Sequence, residues 1–201
     1  MGRTIRTVAV ATVFMQCLGG AAAYAAVTME RLCVRMYDAA RIPSEDRADG
    51  MKHAGDILSG ADLSVDWLDC SPDRFDINGI CGTPPAPGEM VVRLVRLPGA
   101  TGSRTLGEAF VDTTGRRGVL ATVYVDRIEA LAALASVDVV GLIGRVIAHE
   151  IGHLLLGTNT HTETGLMREV WSVKDLARNR SEDWVFSRSD INRLRRSRRV
   201  S

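Results

Sequence analysis

Residues 137–157 read VDVVGLIGRVIAHEIGHLLLG. This run is too long for a strand and carries no turn signal, so it predicts one long, mostly buried helix despite Gly141, Gly144 and Gly152. Gly157 is placed to end that helix in a left-handed or tight turn. Inside the apolar run stand His149, Glu150 and His153. Two histidines at i and i+4 project from the same helix face, one turn apart. Unpartnered polar groups are costly among Val146, Ile147, Ala148, Ile151 and Leu154, so the pair calls for a partner. The spacing lets both imidazoles ligate one zinc ion at about 2.0–2.1 Å. Glu150 lies about 100° round the helix from His149. That is a poor position for a ligand but within reach of a water on the metal, which is the geometry of a general base.

A catalytic zinc site needs a third protein ligand and one open position. His161 is the leading candidate, because the TNT segment after Gly157 carries the backbone back toward the helix. Glu163 and Glu169 are the alternatives. His53, far upstream in a polar segment, reads as solvated.

Upstream of this helix, RLCVRMYD (31–38) alternates as a strand does. Ser44 reads as an N-cap with acids in the following turn, and Gly60 as the stop of that helix. LSVDWLD (63–69) predicts a second strand, and the Pro-, Gly- and Asp-rich stretch 71–89 a surface loop. MVVRLVRL (90–97) is the clearest strand in the chain. LGEAFVD (106–112) and GVLATVYVD (118–126) predict an antiparallel pair around TTGRR. RIEALAALAS begins the helical part, and short helices are expected near 172–179 and 189–197. The order predicts an α+β fold, a mixed sheet packed against helices.

Composition bounds the rest. With 201 residues, 24% charged and 46% hydrophobic, the chain suits one compact domain with a sizeable core. A net charge of +1 and 5% aromatic residues give no case for nucleic acid as a partner. The closing RLRRSRR reads as a solvated helix end.

The first 25 residues have Arg3 and Arg6, an uncharged apolar run from Thr7 to Leu18, and Ala23 and Ala25 as an A-x-A cleavage site. That is the pattern of a secretory signal peptide, with an apolar core short for a membrane span. It predicts a mature domain of residues 26–201, secreted or periplasmic, with no stable membrane insertion after cleavage. Losing Arg3 and Arg6 lowers the 25 basic side chains to 23 against 24 acidic ones, a formal charge of −1. Outside the cytosol, Cys70 and Cys81 around a short loop read as a disulfide. A loop of that size is worth roughly 2–3 kcal/mol in the chain-entropy account. Cys33, left over in an apolar strand, is expected to be a buried thiol.

HEIGHLLLGTNTHTETGLM (149–167) resembles the signature of the metzincin zinc metallopeptidases, among them the matrixin-like branch. The resemblance implies a zincin-like fold, with a twisted sheet of about five strands, a long active-site helix and a C-terminal helical part. It implies His149, His153 and His161 as ligands of one catalytic zinc ion, Glu150 as the base, Gly157 as the turn glycine and Met167 as the Met-turn methionine. The family places its glycine three residues and its third histidine six residues after the second histidine. Here Gly157 and His161 come four and eight residues after His153. A peptide or protein is the implied substrate, with LGEAFVD as the strand an extended peptide would pair with. Two other readings share the same residues: an exported zinc-binding relative without proteolysis, and a zinc hydrolase acting on a non-protein amide.

Overall fold

A computed structural model of the chain describes residues 30–74, 79–97, 105–115 and 117–197. The expected signal peptide, the loop tip at 75–78 and the last residues of the basic tail lie outside the described residues. Five strands form one sheet: β1 (Glu30–Asp38), β2 (Leu63–Asp69), β3 (Met90–Val95), β4 (Gly107–Asp112) and β5 (Arg117–Tyr124). Their order is β2-β1-β3-β5-β4. The first four in that order run parallel, and β4 lies antiparallel to β5 at the edge. The helices are α1 (Ser44–Ser59), α2 (Val125–Ala135), α3 (Val139–Leu156), α4 (Val173–Arg178) and α5 (Arg188–Ser197). The α+β architecture and the five-stranded mixed sheet are as expected.

Period-two alternation sorts each strand between two faces. Leu32, Val34 and Met36 of β1, with Val92, Leu94, Ala121 and Val123, turn inward and are buried. They meet α1 and α3, whose Leu58, Ile147 and Ile151 are fully or almost fully covered. Covering a side chain of that size is worth about 1.5–3 kcal/mol. α3 has 18 residues of mean hydropathy 1.5, enough by length and composition to cross a membrane, yet 72% of it is buried inside this domain. Its apolarity comes from being the central helix. Its glycine at position 144 sits where a Cβ would come within 2.5 Å of His53 Cβ and 2.8 Å of the Gly50 carbonyl on α1, so the two helices can cross closely.

Two expectations need correction. Ser44 is not the N-cap of α1: the helix already begins at Ser44, Pro43 precedes it in extended conformation (φ −52, ψ 140), and no side chain caps the end. The rigid φ of Pro43 sets the entry instead. Cys33 is exposed rather than buried. The alternation that buries Leu32 and Val34 turns Cys33 to the opposite face.

That opposite face is partly covered by the loop before β3. Arg35 Nη1 donates to the carbonyls of Ile80 (2.7 Å) and Thr83 (2.9 Å), and Nη2 pairs with Glu89 at 2.5 Å. Tyr37 donates its hydroxyl to the Cys81 carbonyl at 2.7 Å. The Cys70–Cys81 disulfide is formed, with its Cα atoms 5.4 Å apart. At the C-terminal ends of β1 and β2 lies a buried cation. Arg47, 2% exposed, reaches Asp38 (3.2 Å), Asp69 (3.0 Å) and Asp73 (2.8 Å) with its three guanidinium nitrogens.

Candidate active site

Asp138 opens α3 by accepting the Gly141 N–H at 2.5 Å. The helix closes at Gly157, whose φ of 59° and ψ of 39° are left-handed, with its N–H bonded to the His153 carbonyl. This reversal turns residues 158–161 back along the helix. It brings His161 Nε2 to 3.2 Å from His153 Nε2, which stands 3.0 Å from His149 Nε2. The ligand atoms of these three histidines all fall within 4.8 Å of one another. The extra residue before Gly157 extends the helix to Leu156, and the one after it is taken up in the return to His161. Glu163 and Glu169 do not join this cluster. Glu169 lies close enough to His161 for its charge to favour the imidazolium, against the burial that lowers that pKa.

The tautomers of the two helical histidines follow from their partners. His149 Nδ1 contacts the Leu166 carbonyl at 2.8 Å, and His153 Nδ1 the Thr158 carbonyl at 2.8 Å. A carbonyl only accepts, so each Nδ1 carries the proton and donates it. Burial, followed by the neighbouring His153, pushes His149 down to about 3, and burial holds His153 and His161 below the ordinary histidine value. At neutral pH His149 and His153 thus present bare Nε2 lone pairs to each other at 3.0 Å. Two acceptors at that distance repel unless a cation lies between them. A tetrahedral ion with bonds of about 2.0–2.1 Å separates its ligands by about 3.3 Å. Nε2 separations of 3.0 and 3.2 Å fit that requirement with a small outward adjustment. The all-imidazole donor set suits zinc.

Glu150 is 4% exposed, and among the described residues no cation pairs with it. Burial, and secondly the charge of Glu108, push its carboxyl up to about 8. Its side chain lies against the backbone of β4. A Cβ on Gly107 would come within 2.5 Å of Glu150 Oε1 and 2.7 Å of Cγ. Gly107 was missed in the sequence, although a glycine inside a strand signals a close approach of this kind.

Met167 lies under the same helix. A Cβ on Gly152 would stand 2.6 Å from Met167 Sδ, and Met167 is fully buried. The turn that delivers it uses Gly165 at φ 78°, and the Leu166 N–H bonds to the Val185 carbonyl at 2.8 Å. Thr162 N–H bonds to the Met167 carbonyl at 2.9 Å. One turn therefore places both a methionine beneath the histidines and the carbonyl of Leu166 that orients His149. The supporting carbonyls of Leu166 and Thr158, and the indole of Trp171 beside His149, leave no mark in the sequence pattern.

These groups open onto a cleft of about 1000 Å³ running between β4, α2 and residues 168–173. Gly107 and Glu108 form one wall, Leu131 and Leu134 of α2 another, and Val170 and Trp171 the third.

The fold has known counterparts. The chain is similar to archaemetzincin from Methanopyrus kandleri, with 19% identity and a TM-score of 0.50 over 86% of this chain and 97% of that one. It is also similar to metalloproteinase-II from Bacteroides fragilis, with 14% identity and a TM-score of 0.53 over 84% of this chain. The chain spans about half of that protein's length, 53%. No protein-family model matches the chain, and no curated protein matches it in sequence. At these identities the likeness establishes the fold alone, a mixed five-stranded sheet packed with helices that both proteins share.

Proposed function

We propose that this chain is an exported zinc-dependent endopeptidase, with residues 1–25 as its leader and 26–201 as its catalytic domain. The observation that carries the reading is the convergence of three imidazoles, two with their Nδ1 protons committed to carbonyls, beside a buried glutamate that has no counter-ion among the described residues. The metalloproteinases that share its fold support it. His149, His153 and His161 hold the metal. Bound zinc supplies Lewis acidity, which polarises a carbonyl and lowers the pKa of a water.

The chain's own groups do the rest. Glu150 takes the proton of the attacking water and returns it to the leaving amine. The apolar surroundings that raise its pKa make it a stronger base, and a cation held by the imidazoles would favour its ionised form. β4 ends the sheet order, so an extended peptide can add to its free edge directly beside Gly107 and Glu150. The closed Cys70–Cys81 bridge suits an oxidising compartment outside the cytosol.

Peptide cleavage by the purified chain, screened over a broad peptide mixture, is the test. Cleavage is expected to stop with chelator and with Glu150→Ala. Cleavage that survives Glu150→Ala overturns the assignment of the base. Metal bound in full by His161→Ala would overturn the third ligand.

A further inference from the structure

Four side chains form a closed stack that runs from α3 through the C-terminal part and back to α3. Arg145 places its guanidinium carbon 4.0 Å over the ring of Trp184, which lies in the 3-10 turn Ser181–Trp184. Trp184 meets Trp171 edge to face, with centroids 5.3 Å apart at 88°. Trp171 meets the His149 ring edge to face in turn, at 5.6 Å and 89°. Arg145 stands one helical turn before His149 and is itself held by Asn179 Oδ1 at 2.5 Å. Trp171 and Trp184 are buried, at 8% and 5% exposure.

The hydrogen bond from His149 Nδ1 to Leu166 fixes one point of the ring. A single bond that tolerates bending restrains the torsion about Cβ–Cγ only softly, because the wells of that torsion are broad. A perpendicular aromatic edge restricts that rotation, and the ring plane decides where the Nε2 lone pair points. We infer that Trp171 is a positioning residue for His149, held in place by Trp184 and Arg145, and that this stack ties the wall of the cleft to the metal. Trp171 and His149 both line the cleft, so one residue touches the ligand on one side and the substrate space on the other. Among the described residues, the aromatic rings that meet His153 are those of the two other histidines. The inference rests on the zinc reading above, and its test uses binding rather than turnover.

The experiment is zinc affinity of the full chain by competition with a chromophoric chelator, together with the visible spectrum of the cobalt-substituted protein. Trp171→Leu is expected to weaken zinc binding about tenfold or more and to alter the cobalt bands. Trp171→Phe, which keeps an aromatic edge, is expected to restore affinity to within about threefold, and Arg145→Met to weaken it about threefold. Thermal unfolding of the zinc-free variants separates a general loss of stability from a local one. Trp171→Leu with wild-type affinity and an unchanged cobalt spectrum overturns the inference, as does Trp171→Phe binding as weakly as Trp171→Leu. A wild-type chain that takes up neither zinc nor cobalt overturns instead the metal-centre reading beneath it.

Discussion

Of the polar clusters buried among the described residues, those around Arg47 and His149 are built on opposite principles. Around Arg47 every charge has a counter-charge. Its three nitrogens meet Asp38, Asp69 and Asp73, and Asp38 also accepts the N–H groups of Arg41 and Ile42 at 2.8 and 2.9 Å. Around His149 the groups are alike. Imidazole nitrogens face one another at 3.0 and 3.2 Å, and Glu150 is buried with no cation beside it among the described residues. The first cluster is complete within the chain and joins α1 to the ends of β1 and β2. The second lacks a positive charge, and no described residue supplies one. Buried polar groups that satisfy one another are architecture, whereas groups left short of one specific partner mark where a ligand belongs.

Removing charge should therefore have opposite effects in the two places. Glu150→Gln is expected to lower peptide cleavage by about 10²–10⁴-fold, the range of a lost general base, with zinc content unchanged. The unfolding midpoint of the zinc-free variant is expected to hold or rise, because a buried carboxyl that resists ionisation is replaced by a neutral amide. A fall in stability without a fall in cleavage would erase the contrast. Arg47→Met is the mirror test. It leaves three aspartates around an uncompensated site and is expected to cost about 3–5 kcal/mol in denaturant unfolding. Zinc affinity of the folded fraction should stay at the wild-type level.

Gly107→Ala sharpens the comparison inside the active site. A methyl group 2.5 Å from Glu150 Oε1 forces the carboxylate to move. Misplacement of about 1 Å costs on the order of 10²-fold in rate, so kcat should fall by one to two orders of magnitude with metal affinity intact. Equal kcat in this variant would mean that the carboxylate does not depend on the bare edge of β4.

The smallest effect concerns pH. The hydrogen bond from Arg47 holds the Asp73 carboxyl below its ordinary value. Glu89 is held down chiefly by the Ala86 N–H, with Arg35 adding to it. Carboxyls with depressed folded-state pKa values contribute stability that is present above the unfolded values of 3.8 and 4.5 and lost as pH falls through the folded ones. Urea midpoints taken from pH 5 down to pH 2 should fall less in Asp73→Asn than in the wild type. Because the Asp73 side chain is 49% exposed, the difference is expected to be slight.

The contrast between the clusters also explains what could be read from the chain. The histidine cluster was legible because His149, Glu150 and His153 share one helix, and helical geometry converts sequence spacing directly into a common face. His161 and Met167 followed within a short return. The Arg47 cluster was not legible: its partners lie 9, 22 and 26 residues away and meet only because β1 and β2 pair. Cys33 was misplaced for a related reason. An apolar strand at the middle of a parallel sheet reads as buried on both faces, while the loop over the outer face reaches Arg35 and Tyr37 and stops short of Cys33. The strands and the antiparallel pair were readable from local alternation, but two ends were not: β3 stops at Val95 rather than at residue 97, and β5 at Tyr124, where α2 takes over residues 125 and 126. The edge position of β4, and with it the role of Gly107, depends on strand order, which local pattern does not encode.

The central claim is that His149, His153 and His161 together hold one cation. Elemental analysis of the purified chain, before and after dialysis against a chelator and after zinc is returned, tests it most directly. The account predicts one zinc per chain, removed by the chelator with a lowered unfolding midpoint and regained on readdition. A chain that binds no zinc at micromolar concentrations, with a midpoint indifferent to chelator and to zinc, would contradict it.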